Sequence, residues 1–106
     1  MNEEEKKKFI EIIESLKELR IRKSQDYGYS WKVWGLEGIV WQLKSKFIRM
    51  TNLIKNGKIR SEVANESVID TFRDIANYSI MAIQLIQSGE TEDSIENLLK
   101  INEVDK

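Results

Sequence analysis

Apolar residues return every three or four positions from Phe9 through Ile12, Ile13, Leu16 and Leu19. This spacing predicts a first helix with one buried face, ending near Ile21. Asn2 stands where it can cap that helix, Glu3, Glu4 and Glu5 occupy its positive end, and Lys6, Lys7 and Lys8 follow at pairing distances of three and four. From Arg22 to Gly35 the pattern has neither a helical nor an alternating period, which predicts a loop carrying Tyr27, Tyr29, Trp31 and Trp34. Leu36, Ile39, Val40, Leu43, Phe47, Met50 and Ile54 predict a second helix from about Leu36 to Asn56, stopped by Gly57. Trp41 and Ile48 fall on nearly the opposite side of it and call for a second packing partner, such as another subunit.

Val68, Ile69, Phe72, Ile75, Ala76, Ser79, Ile83 and Ile86 predict the core stripe of a third helix, capped by Asn65 or Ser61 and reaching about Gln87, with Gly89 behind it. Opposite them lie Glu66, Asp70, Asp74 and Asn77, then Met81. From Ile75 to Ile86 little polar face is left, so this helix is expected to be buried on both sides, with Asp74 and Asn77 at the edge of an interface or a central cleft. Thr91 is expected to cap a short helix through Ile95, Leu98 and Leu99, ahead of a frayed INEVDK tail. The expected fold is all-α, with three main helices and a short C-terminal one. It forms a single domain over 1–106 whose bundle is completed by oligomerisation as a homodimer or higher homo-oligomer.

Composition narrows the chemistry. The 106 residues include no Cys, no His and no Pro. Disulfides, thiolate zinc sites, histidine metal ligands and the Ser-His-Asp or Cys-His catalytic sets are therefore excluded. The charged N-terminus does not read as a signal peptide, and no apolar run approaches the roughly 18–20 residues of a membrane helix, so a cytoplasmic protein without membrane association is expected. The net charge of −1 hides a gradient. Residues 1–35 carry eight Lys/Arg against seven Asp/Glu, residues 36–60 six against one, and residues 61–106 three against ten. A basic centre and an acidic end either neutralise each other across packed helices or provide sides for phosphate and for a cation. The overall balance argues against general nucleic-acid binding.

Two groups of residues can carry chemistry. On the third helix Glu66, Asp70 and Asp74 stand one turn apart and lead into an apolar surround, where carboxylates must be paired, protonated or metal-bound. Mg²⁺ suits such a set because it takes a few carboxylates and keeps water for substrate phosphates. The competing arrangement pairs Asp70 and Asp74 with Lys46 and Arg49 of the second helix. Those two cations equally suit phosphate. In the 22–35 segment Tyr27 and Trp31 either lid the core or stack a base, with Lys23 and Asp26 beside them for phosphate and for sugar or base.

Taken together, Lys23-x-x-Asp26-Tyr27-Gly28-x-x-Trp31, the helix opened by Leu36 with Lys46-x-x-Arg49, and Glu66-x-x-x-Asp70-x-x-x-Asp74-x-x-Asn77-Tyr78 resemble the nucleotide modification associated domain family. The resemblance spans roughly residues 10–88. It implies a small protein, of a kind often encoded by phages, other viruses and bacteria, linked to nucleotide or DNA-base modification. The arrangement is more distantly similar to the all-α NTP pyrophosphatases of the MazG and dimeric dUTPase type, which hold Mg²⁺ between Glu-Glu-x-x-Glu on one helix and Glu-x-x-Asp on the next. Against that pattern, Asp70 and Asp74 are spaced by four rather than three, and Lys46 and Arg49 replace the acidic cluster. The replacement favours direct phosphate binding without metal.

Three functions follow as expectations. The first is a Mg²⁺-dependent pyrophosphohydrolase acting on a (d)NTP or modified nucleotide. In it Glu66, Asp70 and Asp74 hold metal, Asp70 or Asp74 takes part in catalysis, Lys23, Lys46 and Arg49 neutralise phosphate, and Asp26, Tyr27, Trp31 and Asn77 read base or sugar. The second is a module, for instance a viral one, that binds or sequesters a nucleotide or cyclic nucleotide without turning it over. The third is a helical interaction protein docking through Trp41 and Ile48.

Overall fold

The computed structural model describes the backbone of residues 1–27, 30–57 and 62–89, and the side chains of 1–24, 34–57 and 66–89. The expected short C-terminal helix lies outside the described residues, which are all-helical, with no strand among them. α1 runs Glu3–Tyr27, α2 Ser30–Lys55 and α3 Glu62–Ser88. No helix among the described residues is long and apolar enough to cross a membrane.

α1 starts as its sequence requires. The Asn2 Oδ1 accepts from the Glu5 amide at 2.8 Å while Asn2 Nδ2 donates to Glu5 Oε1 at 3.3 Å, a reciprocal cap that satisfies an otherwise orphaned amide. The helix does not stop at Ile21 but continues to Tyr27, and the described residues 22–27 and 30–34 of the segment expected as a loop are helical. Arg22, Lys23, Ser24, Gln25 and Asp26 carry no apolar period, yet Arg, Lys and Gln are good helix formers and no Pro interrupts them. After Gly28 and Tyr29 the chain is helical again from Ser30, with one break at Gly35, whose φ of 67° and ψ of −173° belong to a region that essentially only glycine occupies. The regular part of α2 thus opens at Leu36, the start expected from its periodicity. Beside the break, a Cβ added at Gly38 would meet Trp34 Cβ at 2.6 Å, so glycine is also required there for close approach.

α2 ends as expected, with Gly57 at φ 72° donating its amide to the Ile54 carbonyl at 3.0 Å. α3 opens at Glu62, which puts Asn65 inside the helix rather than at its cap; Ser61 lies outside the described residues. Its end at Gly89, φ 76°, repeats the Gly57 device. Only six residues separate α2 from α3, and the two pack along each other, which makes them an antiparallel hairpin. α1 leans on α3 through its C-terminal half, where Leu16, Leu19, Arg20 and Lys23 are partly covered.

The buried faces depart from the expected ones. Ile39, Val68 and Leu85 form the fully buried apolar core among the described residues. On α3 the inward face carries Thr71, Asp74, Asn77, Tyr78 and Leu85, whereas Ile69, Phe72, Ser79, Ile83 and Ile86 of the expected core stripe are exposed. Both faces of this helix are apolar enough to be read as core, so periodicity alone cannot say which turns inward. Phe47 and Ile54 of α2, and Phe9, Ile12 and Ile13 of α1, are exposed rather than buried. Trp41 and Ile48 are exposed as expected, with Lys44 Nζ 4.9 Å from the Trp41 ring centroid.

Candidate functional site

The charges of all three helices meet at Asp74. Its side chain, 22% exposed, accepts Lys46 Nζ on Oδ2 at 3.1 Å and faces Lys23 Nζ across 3.5 Å on Oδ1. Lys46 arrives there because it lies seven residues, two helical turns, after the buried Ile39 and so shares the face of α2 that packs on α3. Lys23 arrives because α1 runs on past Ile21, which carries the basic side chain up to the third helix. Two ammonium groups from different helices thus converge on a single, largely covered carboxylate.

Asn77 follows one turn beyond Asp74 on the same inward side. It is 6% exposed, and its Oδ1 is buried with no hydrogen-bond donor among the described residues. Buried polar oxygens are nearly always paired, so this acceptor, one helical turn beyond Asp74, is open to a donor such as a water or a ligand's N–H or O–H. Nearby, Thr71 is as deeply buried but donates its hydroxyl to the Ser67 carbonyl at 2.8 Å and needs no partner.

Periodicity did not single out Arg20. Its Nη2 donates to Gln84 Oε1 at 3.0 Å, tying α1 to α3, and burial lowers its guanidinium pKa from the ordinary value. The available signal was its place three residues before Lys23, beside Leu16 and Leu19. Of the expected interhelical pairs, Lys46–Asp74 is formed. Asp70 instead pairs with Arg73 of its own helix at 3.0 Å and is 69% exposed. Arg49 and Glu66 are exposed, and Arg49 makes no ion pair with Asp70 or Asp74. Asp26, Tyr27 and Trp31 lie on the last turn of α1 and the first of α2, with side chains outside the described residues.

The donor set for Mg²⁺ does not converge. Among the described residues no group of three or more Asp or Glu side chains is placed to hold a metal, and both oxygens of Asp74 face ammonium groups. What the arrangement can do without rearrangement is hold anionic oxygens against Lys23 and Lys46 and accept one hydrogen bond at Asn77.

The family model described as Nucleotide modification associated domain 1 matches residues 23–87. No curated protein and no solved structure matches the chain. The matched segment opens at Lys23, takes in α2 and nearly all of α3, and contains Lys46, Asp74 and Asn77. Because it covers more than half of the 106 residues, the chain belongs to the Nucleotide modification associated domain 1 family.

Proposed function

We propose that the protein binds a nucleotide at the three-helix junction without a metal ion, in the service of the nucleotide or DNA-base modification that its family is associated with. The observation that carries this reading is the convergence of Lys23 and Lys46 on Asp74 beside the unpartnered oxygen of Asn77. Each ammonium has three donors, so a phosphate oxygen can join Asp74 on the same lysine, and Asp74 keeps both cations aimed while the site is empty. Asn77 Oδ1 would accept from a base N–H or a sugar hydroxyl. Arg49, exposed one turn beyond Lys46, would steer phosphate inward, and Asp26, Tyr27 and Trp31 would close on base and sugar.

The test is a thermal-shift panel of the full chain against NTPs, dNTPs and cyclic dinucleotides, each with Mg²⁺ and with EDTA. A ligand at a hundred times its Kd adds about 2.7 kcal/mol, readily seen in a domain of this size. Stabilisation that persists in EDTA and is lost in Lys46→Ala is the expected result. The second reading, a Mg²⁺-dependent pyrophosphohydrolase of the MazG and dimeric dUTPase type, draws on Glu66, Asp70 and Asp74 at intervals of four on α3, of which Glu66 and Asp70 are exposed. It requires stabilisation only with Mg²⁺ and pyrophosphate release that disappears in Asp74→Asn. No response to any nucleotide would overturn both and leave the helical interaction protein.

A further inference from the structure

The outward face of α3 has no role in the site just described. Ile69, Phe72, Ala76, Ser79, Ile83 and Ile86 follow one another at steps of three, four, three, four and three, the spacing of a helix seam that packs against another helix. All but Ala76, which is partly covered, are exposed in the single chain, and Ile80 beside them is exposed too. We propose that two copies of the chain pair through this face, their α3 helices antiparallel, with Ala76 of one copy against Ser79 of the other.

The choice of a second copy rests on how the seam meets itself. In an antiparallel pair centred between Ala76 and Ser79, Ile69 faces Ile86 and Phe72 faces Ile83, so large residues meet at the ends and small ones at the middle, where the backbones can approach closely. A two-fold axis makes each of these contacts twice, once on either side. No residue from Ile75 to Ser88 is charged, so the face opposes its own copy without bringing like charges together. Ser79 already donates its hydroxyl to the Ile75 carbonyl at 2.9 Å, so it can be covered without stranding a polar group. Area points the same way. The exposed α3 side chains alone supply roughly half of the ~800 Å² that each partner of a stable interface buries.

Light scattering coupled to size exclusion, over a range of protein concentrations, tests the pairing. The expected mass is twice the 12.5 kDa of one chain. Ile83→Glu should shift the dissociation constant at least a hundredfold toward monomer with helical circular dichroism retained, while Trp41→Ala leaves the dimer intact. Because the chain has no cysteine, register can be read by mixing Ala76→Cys and Ser79→Cys chains under mild oxidation. The mixture should cross-link in higher yield than either variant alone, and this decides the matter if Ile83→Glu fails to fold. A monomeric wild type, a dimer broken by Trp41→Ala instead of Ile83→Glu, or no preference in cross-linking would overturn the proposal. A seam occupied by a different protein would appear as the first of these outcomes.

Discussion

Asp74 accepts from ammonium groups carried by two other helices, so its carboxylate keeps two like charges from repelling each other across a partly covered space. Asp74→Ala removes the anion and leaves both cations, and should lower stability by about 1–2 kcal/mol, measured by urea unfolding. Asp70→Ala breaks only an exposed pair within one helix turn and should stay within about 0.5 kcal/mol. Lys46 lies closer to Asp74 and is less exposed than Lys23, so Lys46→Ala should weaken nucleotide binding more than Lys23→Ala in a titration at fixed salt. At this scale the Lys46–Asp74 pair was legible from the sequence, because helical spacing put Lys46 beside the buried stripe of α2 and Asp74 on a line of carboxylates along α3, whereas the Lys23–Asp74 contact was not, Lys23 falling in a segment without a helical period. The pairing of Asp70 was not, since a neighbour on the same helix, Arg73, competes with any cation across the gap.

At the scale of elements the glycines decide geometry. Gly35→Ala forces a Cβ into a backbone region closed to L-residues and should cost about 1–3 kcal/mol, seen as a lowered urea midpoint with an unchanged slope. Helix existence, the ends at Gly57 and Gly89 and the start at Leu36 could be read from pattern and caps. The helical turns at Arg22–Tyr27 could not, because Arg22, Lys23, Ser24, Gln25 and Asp26 are all polar and leave no apolar period to detect. The orientation of α3 was hidden for the opposite reason. With isoleucines on one side and Leu85, Met81 and Tyr78 on the other, two faces compete for the interior, and α2 takes the side that also holds Asp74 and Asn77.

At the scale of the molecule, Ile39, Val68 and Leu85 are the fully buried apolar side chains among the described residues, while Phe72, Ile83 and Ile86 remain in water. Pairing through the outward face of α3, as proposed, would take these side chains out of water, so the melting temperature should rise with protein concentration, and Ile83→Glu should abolish that dependence. From the sequence, a second copy is expected from the Trp41 and Ile48 strip of α2 and from an α3 apolar nearly all round. The packing of α2 against α3 leaves Ile69, Phe72, Ile83 and Ile86 outward, and the proposed pairing rests on that face. The lone oxygen of Asn77 bears on stability too. Left without a donor it costs the empty protein about 1–3 kcal/mol, a handicap that a better-packed Asn77→Leu chain would shed, melting some degrees higher while losing its response to nucleotide. Variants selected only for heat resistance should therefore drift toward apolar residues at this position and surrender ligand recognition as they gain stability.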